Sequence, residues 1–580
     1  MYLRTTKRKN ADGSVVRYYQ LAENTWDPTR ACAVAKVVYN FGRADGLDLD
    51  KLRRLAESIL RVCGEERARF AAHAGQVSDA VRVRDAWPFG GVYVLEHLWR
   101  ELRIDAVLAR CIDAVLARCI DTKRTRQPFE RALFAMVANR ALEPYSKLYC
   151  WDQWLREDVF LPSANSLELQ HLYRAMDFLE ENKPDVEKEI FFQVADLVNA
   201  DVDVIFYDTT SLHFEIDEED EAEATHRATG RKYPAQRRRV YSKNGRGDAP
   251  QIVVGMAVTR DGLPVRSWVF PGQTADITTV EKVKEDLRGW RLGRCIFVED
   301  AGTNSEENRR LLSLGGGKYI LGAKMRAGDE VTTDVLARPG RYHEVDDHLR
   351  VKEVIVGDGE RRRRYVVAHN PAEETRQRAH REKLLTQLEV ELETLQQRRD
   401  GKHSKRAMGL LLSSRYGRYL RETPGGLLRI DRGAAEEEAR YDGKWVITSN
   451  DDTLTPDDLA LGYKQLMRVE QCWRQLKGLR MRPVFHFRPW RIQAHVTLSV
   501  LALLLERIVE IRSGDTWRNV AAQLASIKVV EYDHGPARVQ QTTDLRPDVV
   551  ALLGKLGVPL PPRVHSVTPL DSLPPPDTNA

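Results

Sequence analysis

The order of strand-like and helical segments between residues 202 and 323 constrains the fold of this chain most strongly. Three strand-like runs, VDVIFYDTT, QIVVGMAVTRDG and PVRSWVFPG, come first, and the turn residues Asp261 and Gly262 join the last two into a hairpin. A capped helix, the strand RCIFVED, a second helix from about Asn304 and the strand KYILGAK follow. Strands that alternate with helices in this way predict an α/β fold, in which helices cover a mixed sheet.

Two of these strands run into a carboxylate. Asp208 follows the apolar run VIFY, and Asp300 ends the run CIFVED. Ligands bind where strand ends face a crevice of an α/β sheet, so neighbouring strands would bring the two carboxylates together. Nearby carboxylates repel unless a cation neutralises them, and magnesium and manganese prefer such hard oxygen donors. Either aspartate alone is equally explained as the start of a turn, but the matched pair favours a metal site.

A third acidic residue lies on a long helix predicted from about Pro456. Tyr463, Glu470 and Lys477 recur every seven residues, which would place them on one stripe about two turns apart. By itself, a row with this spacing is also consistent with an ordinary solvated helix face. The apolar stripe that would bury the helix runs beside it, at Leu466, Val469, Trp473 and Leu476.

The remaining segments predict further regions around this core. The exact repeat IDAVLARC, at residues 104–111 and 112–119, indicates a local duplication that lengthens a helix or loop. Leucines at helical spacing predict an amphipathic helix over 372–400, and the proline-rich residues from Pro559 predict a disordered tail. The predicted regions are an N-terminal β module (1–48), a helical region (49–200), the first part of the α/β core (201–326), an insertion of strands and then a helix (327–440), the second part of the core (441–512) and a C-terminal segment (513–580).

Composition excludes several classes of protein. The 580 residues include 90 Lys and Arg against 85 Asp and Glu, a balance of +5 that does not indicate nucleic-acid binding without local basic clusters. The seven cysteines are scattered, which argues against a disulfide scaffold or a zinc knuckle and favours a reducing cytosol. The N-terminal residues lack the apolar segment of a signal peptide. The longest apolar run, VTLSVLALLL, has ten residues, fewer than the roughly 20 that span a bilayer, and predicts a buried core helix.

Together, the acidic residues and their surroundings resemble a known family. Tyr463, Glu470 and Lys477 fit the pattern Tyr, two residues, Arg, three residues, Glu, six residues, Lys, although Leu466 occupies the Arg position. The segments YDTTSLHFE, FPGQTADITT, VEDAGTNSEEN and RPVFHFRPWRIQAHV add to the likeness. The chain thus resembles the DDE transposases of bacterial insertion sequences, in the branch with a Tyr–Arg–Glu–Lys signature. The resemblance implies a ribonuclease H-like mixed sheet flanked by helices and interrupted by a large insertion.

The resemblance also implies a reaction and the residues that perform it. Asp208, Asp300 and Glu470 are expected to be catalytic and to hold two Mg²⁺ ions, for which Mn²⁺ would substitute. The enzyme would cut DNA at the ends of an insertion sequence and transfer the cut strand to target DNA. Such a reaction needs no nucleophilic Ser or Cys, so Ser211 and Cys472 are expected to serve packing and hydrogen bonding.

The partners implied are double-stranded DNA, both the terminal inverted repeats of the transposon and the target, and a second copy of the chain in a homodimer on DNA. The expected location is the bacterial cytoplasm, in association with the nucleoid and without a membrane partner. By analogy, the helical region would recognise the transposon ends. Because phosphate neutralisation supplies most affinity for DNA, the candidate DNA-binding residues are Tyr463, Lys464, Arg468, Lys477, Arg237, Arg238, Arg239, Lys243, Arg480 and Arg482.

Three other functions are compatible with parts of the pattern. A catalytically inactive or domesticated DNA-binding protein would keep the fold without the chemistry, and the presence of all three carboxylates argues against it. A standalone metal-dependent nuclease would cleave DNA without strand transfer. A paired-carboxylate hydrolase acting on sugars would need an aromatic-lined run near both aspartates, which the sequence lacks.

Overall fold

The computed structural model describes residues 2–9, 15–27, 32–43, 81–118, 128–198, 202–226, 229–240, 246–290, 292, 295–326, 330–397, 405–424, 427–478 and 481–570. The chain divides into two compact units. The first contains residues 1–85, 530–541 and 564–580, and the second contains residues 86–529 and 542–563. The part of the predicted helical region within 49–80 lies outside the described residues.

The first unit is built from antiparallel strands. Tyr2–Lys9, Val15–Asp27 and Cys32–Arg43 form a three-stranded sheet, which agrees with the β structure predicted at the N-terminus. A four-stranded sheet has the order Val564–Pro569, Ala537–Thr542, Lys528–His534, Val81–Pro88.

The strand Val564–Pro569 contradicts the prediction of disorder from Pro559. It pairs antiparallel with Ala537–Thr542, with Val567 opposite Val539. The prolines lie before the strand or at its last residue, where no backbone N–H is needed in the middle of the ladder, and three of the six strand residues are β-branched. Composition alone therefore misled the prediction for residues 559–570, and residues 571–580 lie outside the described part of the chain.

The second unit is centred on a nine-stranded sheet. We label its strands in chain order as β1 (Val204–His213), β2 (Gln251–Val258), β3 (Pro264–Pro271), β4 (Ile296–Glu299), β5 (Lys318–Ala323), β6 (His343–Asp346), β7 (Leu349–Val356), β8 (Arg363–His369) and β9 (Lys444–Ser449). The order across the sheet is β6-β7-β8-β9-β5-β4-β1-β2-β3. A separate two-stranded pair, Ala224–Thr225 with Lys232–Tyr233, follows β1 in the chain.

One half of the large sheet has the predicted ribonuclease H-like topology. In the order β3-β2-β1-β4-β5, strand β1 is parallel to β4, β4 is parallel to β5, and β2 is antiparallel to both of its neighbours. This mixed sheet confirms the predicted α/β class. β6, β7, β8 and β9 extend the sheet antiparallel beyond β5, so the strands predicted within the insertion belong to the core sheet itself.

The helical part of the predicted insertion follows β8. The helix Pro371–Gln397 has the predicted amphipathic character, with Leu388, Leu392 and Leu395 buried. These leucines pack into a small separate core with Leu410, Tyr419 and Leu428. The other elements of this layer are the helices Lys405–Leu412 and Arg432–Ala439 and the paired strands Leu420–Glu422 and Leu428–Ile430.

Helices cover the sheet and form a layer beside it. The longest core helix, Pro489–Ser513, is long and apolar enough to cross a membrane, but 89% of its most apolar window is buried inside the protein. It packs against the helices Phe129–Leu142 and Leu169–Glu181 and against β3, which confirms the predicted core helix. The other helices are Gly90–Glu101, Ile104–Arg118, Lys147–Tyr149, Lys183–Leu197, Val280–Arg288, Glu306–Ser313, Pro456–Lys464, Met467–Gly478, Trp517–Leu524 and Pro547–Leu556, with shorter 3-10 or π-helical segments at Cys150–Asp158, Pro162–Ala164, Asp276–Thr278, Leu314–Gly316, Val331–Leu336, Gly359–Arg361 and Gly417–Tyr419.

The duplicated octapeptide lies in one continuous helix, Ile104–Arg118. The first copy buries Ile104, Val107 and Leu108 against the helical core. In the second copy Ile112 is buried, as its equivalent Ile104 is, whereas Asp113 and Ala114 are exposed. Eight residues are about two turns plus 80°, so the two copies are rotated relative to each other around the helix axis. The duplication therefore lengthens a helix, as predicted.

Candidate active site

The two strand aspartates lie level with each other on adjacent parallel strands. Tyr207 of β1 is opposite Glu299 of β4 in the ladder, so the next residues, Asp208 and Asp300, follow at matching positions. The predicted strand end is wrong for Asp208, because β1 continues to His213 and Asp208 is opposite Met256 of β2. Asp208 marks instead the point where pairing with β4 stops and pairing with β2 continues.

The packing of β1 fixes which face Asp208 occupies. Side chains alternate along a strand, so Phe206 and Asp208 share one face while Tyr207 and Thr209 share the other. Phe206 packs in the core that contains Val469 of the helix Met467–Gly478, and this helix contacts β1. Tyr207 is fully buried on the opposite side, where a Cβ on Gly255 would lie 2.6 Å from its Oη. Asp208 therefore faces the helix that carries Glu470.

The predicted long helix from Pro456 is two helices. Pro456–Lys464 begins with a capping box between Thr455 and Asp458, and Met467–Gly478 follows after a turn at residues 465–466. The turn is tight: the amide of Leu466 donates to the carbonyl of Tyr463 at 2.9 Å. Leu466, at the position where the signature has Arg, is buried in the core. The prediction of one stripe through Tyr463, Glu470 and Lys477 is therefore wrong.

The turn places the Tyr463 hydroxyl at the aspartates. Its helix packs on β5, β8 and β9, and Tyr463 Oη donates a hydrogen bond to Asp300 Oδ1 at 3.3 Å. The close approach requires glycine on β5, since a Cβ on Gly322 would lie 2.3 Å from Tyr463 Oη. Burial raises the pKa of Tyr463 well above its usual range, and the charges of Asp300, Glu470 and Asp208 raise it further. One hydroxyl thus lies within electrostatic reach of all three predicted catalytic carboxylates.

The structure brings Asp208 and Asp300 to matching positions on adjacent strands but does not close the three carboxylates into a metal cage. Glu470 lies in the first turn of its helix and is exposed, while its neighbours Val469 and Cys472 are buried. Asp300 is also exposed, at the end of β4. Within the part of the chain that the structure describes, no three His, Cys, Asp or Glu side chains are close enough to hold a metal ion.

Sequence reasoning missed a fourth carboxylate beside this site. Glu299, directly before Asp300, is fully buried on the other face of β4. Burial raises its pKa to about 7, the charge of Asp208 adds to the rise, and Lys284 and Thr303 oppose it. A second acid inside the apolar run CIFVED was the available signal.

Two family models match the sequence. The N-terminal domain of the IS1634 family transposases matches residues 3–72, and the transposase DDE domain matches residues 219–505. The chain belongs to the DDE transposases of insertion sequences. The matched DDE range contains Asp300 and Glu470, and Asp208 precedes it.

Among solved structures, the chain is similar to a piggyBac transposase in a synaptic complex with hairpin DNA, determined by cryo-electron microscopy. The identity is 10%, the TM-score is 0.34, and the similarity covers 73% of this chain and 77% of that one. A comparison with curated proteins gives no match.

Membership of the family confirms the predicted enzyme class. The protein is a DDE-type DNA transposase, which binds DNA and works with divalent metal ions inside the cell.

The lysine and arginine candidates for DNA binding between residues 464 and 482 are exposed or half-buried where the structure describes them. Lys464 Nζ is 3.9 Å from Asp346, Arg468 donates to Gln471 at 3.4 Å, and Lys477 is exposed at the end of its helix. Arg482 Nη1 lies 2.7 Å from His213 Nδ1 at the end of β1. Lys243 and Arg480 lie outside the described residues.

The three consecutive arginines after the two-residue strands are held by the acidic segment EIDEEDEAE. Arg237 donates from Nε to Asp220 Oδ1 at 2.8 Å, and Asp220 Oδ2 also accepts from the amide of Gln236. Arg238 is 3.7 Å from Glu219, and Arg239 donates to the carbonyl of Asp217. The acidic segment therefore pairs with a basic run of the same chain. Arg237 in particular is largely buried in this pairing.

The basic run at 361–364, another candidate cluster, is similarly engaged. Arg362 pairs with Asp452 at 3.0 Å, Arg363 with Glu330 at 2.6 Å and Arg364 with Glu353 at 2.6 Å. These ion pairs connect the start of β8 with β7, with the segment before the helical turn Val331–Leu336 and with the loop after β9.

Proposed function

We propose that Asp208, Asp300 and Glu470 are the catalytic carboxylates of this transposase and hold two Mg²⁺ ions, for which Mn²⁺ substitutes. The observation that supports the proposal best is the Tyr463 hydroxyl, which hydrogen bonds to Asp300 and is within reach of the charges of Asp208 and Glu470. Three carboxylates supply the hard oxygen donors that these ions prefer. Two of them are level on adjacent strands, and the third lies on a helix packed against β1.

Bound divalent ions would supply positive charge at the reacting phosphate, which activates an attacking oxygen and stabilises a leaving one. In the first step water attacks the phosphodiester at the transposon end, and the bond to the 3′ oxygen breaks to leave a 3′-hydroxyl. In the second step that hydroxyl attacks a phosphodiester of target DNA, and the displaced target oxygen leaves as a new 3′-hydroxyl. The carboxylates of Asp208, Asp300 and Glu470 would hold the ions, and the hydroxyl of Tyr463 would fix the orientation of the Asp300 carboxylate.

The DNA would lie along the exposed side of the site. Lys464, Arg468 and Lys477 are exposed and Arg482 is half-buried, and these residues would contact the DNA backbone together with Tyr463, Arg238 and Arg239. Arg237 would act indirectly, by holding the acidic segment. We propose Lys243 and Arg480 as further DNA-contacting residues on the basis of the sequence alone.

At the level of domains, we propose that the helical region 49–200 recognises the terminal inverted repeats and that the catalytic core occupies residues 201–326 and 441–512. Residues 327–440 would be the insertion, whose strands extend the core sheet and whose helical layer begins at Pro371. The enzyme would act as a homodimer on two DNA ends, in the bacterial cytoplasm and in association with the nucleoid. The symmetry of a reaction on two ends supports a dimer.

The test is a nicking and strand-transfer assay with Mg²⁺ and DNA that carries the two ends of the element. Asp208→Ala is expected to abolish nicking and to leave DNA binding intact. The matched control is Asp203→Ala, which removes an exposed aspartate one residue before β1 whose carboxylate pairs with Arg260 at 2.9 Å; it should nick as the wild type does.

Each other outcome would indicate a different function or a different active site. Equal nicking by the wild type and Asp208→Ala would remove Asp208 from the active site. Nicking without strand transfer would indicate a nuclease, and DNA binding without nicking by the wild type would indicate an inactive relative.

A further inference from the structure

We infer that Asp276 is a positioning residue for both strand aspartates, held on the reverse side of the sheet from the reacting groups. This inference rests on the proposed function of Asp208 and Asp300. Asp276 begins the 3-10 turn Asp276–Thr278, in the segment FPGQTADITT, to which sequence analysis gave no role beyond helix capping and family likeness.

On the Asp208 side, the turn binds both residues that flank the aspartate. Thr209 Oγ1 donates to Asp276 Oδ1 at 2.6 Å. Tyr207 Oη donates to Thr279 Oγ1 at 2.8 Å, and Thr279 Oγ1 donates to the carbonyl of Asp276 at 2.6 Å. Tyr207 and Thr279 are fully buried, and Thr209 is 7% exposed. The strand is therefore fixed immediately before and immediately after Asp208.

On the Asp300 side, the same turn is tied to the residues that follow β4. Asn308, 3% exposed, donates from Nδ2 to the carbonyl of Ile277 at 2.8 Å and to the carbonyl of Thr303 at 2.7 Å. Thr303 Oγ1 in turn donates to the carbonyl of Asp300 at 2.9 Å. Asp276 Oδ2 would lie 3.7 Å from a Cβ on Gly302. One turn thus braces the backbone at both aspartates.

The carboxylate of Asp276 cannot bind the same metal ion as the carboxylate of Asp208. Successive side chains of a strand point to opposite faces, so the carboxylate that binds Thr209 lies behind the strand from the Asp208 carboxylate. Asp276 acts as a hydrogen-bond acceptor, and its effect reaches the active site through Thr209 and the turn. Groups that orient metal ligands in this indirect way typically contribute about 10–100-fold to metal affinity or activity.

The experiment measures Mn²⁺ binding by titration with electron paramagnetic resonance on the full chain, beside nicking and melting temperature. Asp276→Ala and Thr209→Val, which both remove the hydrogen bond, should weaken Mn²⁺ binding and slow nicking by about 10–100-fold. Asp276→Asn keeps an oxygen that accepts from Thr209 and should stay within about 3-fold of the wild type, since charge is not what the contact needs. The matched control is Thr278→Val, an exposed threonine of the same turn.

The variants separate this inference from the proposed function. Wild-type Mn²⁺ binding by Thr209→Val and Asp276→Ala, together with its loss in Asp208→Ala, would overturn the positioning role and leave the active site standing. An Asp276→Asn variant as defective as Asp276→Ala would also overturn it, because the charge would then be acting directly. Unchanged Mn²⁺ binding in Asp208→Ala and Asp300→Ala would instead refute the proposed metal site.

Discussion

The contact between Gly322 and Tyr463 makes a prediction about how the site is assembled. In Gly322→Ala the new Cβ would lie 2.3 Å from Tyr463 Oη, 3.1 Å from its Cζ and 2.8 Å from the amide nitrogen of Ala301. Contacts below 3.0 Å force the neighbours to move, and here one neighbour is a backbone atom beside Asp300. Overpacking of this kind costs about 1–3 kcal/mol of stability. Displacement of the phenol would also break the 3.3 Å hydrogen bond to Asp300.

A double-mutant cycle tests whether the phenol is the atom that is displaced. Tyr463→Phe removes the oxygen at 2.3 Å but leaves the ring carbon and the Ala301 amide in place. Gly322→Ala should therefore cost less in the Tyr463→Phe background, with a coupling free energy on the order of 1 kcal/mol. Urea unfolding followed by tryptophan fluorescence measures both values.

The control for backbone effects is Gly478→Ala, at the end of the Glu470 helix, where a Cβ meets nothing within 4 Å. It should be neutral or stabilising by a few tenths to about 1 kcal/mol. If Gly322→Ala is as stable as the wild type, or if its cost is the same with and without the Tyr463 hydroxyl, the close packing of Tyr463 on β5 is wrong, and so is the argument that it orients Asp300.

Three further changes probe the interior. Burial raises the pKa of Glu299 in the folded state to about 7, from an ordinary value of 4.5, so the folded state binds a proton that the unfolded state has released. The free energy of unfolding without divalent ions should therefore fall by roughly 3 kcal/mol as the pH rises from 4.5 to 7. Glu299→Gln should flatten that dependence in urea titrations at several pH values. Lys147→Met should raise the melting temperature, since the fully buried Lys147 Nζ makes no hydrogen bond to any residue that the structure describes and burial lowers its pKa well below the usual range. Leu388→Ala should destabilise the helical insertion by about 2–5 kcal/mol in hydrogen-exchange measurements, because Leu388 is fully buried in its small core.

The sequence predicted the core of the site because its signals were local. An apolar run that meets a carboxylate is visible within one strand, and two such runs at matched places in an alternating pattern predict neighbours in a parallel sheet. The structure bears this out for Asp208 and Asp300 through the pairing of Tyr207 with Glu299. The continuation of β1 beyond Asp208 was not predicted, since its partner β2 is supplied by residues more than forty positions later, and no local pattern records that pairing.

The break between Tyr463 and Glu470 could not be predicted for a related reason. Spacing of seven residues is satisfied equally by one helix and by two helices with a turn between them, so periodicity carries no information about the turn. Tertiary packing determines where the first helix ends. The first helix buries Leu459 and Ala460 against the sheet, whereas the second buries Val469 and Trp473 beneath β1. Leu466 is buried in the turn between them. The leucine at the position of the signature arginine is thus a core residue in the turn between the two helices. Any cation that contacts DNA there must come from a neighbour, and Lys464 and Arg468, exposed on either side of the turn, are the residues so placed.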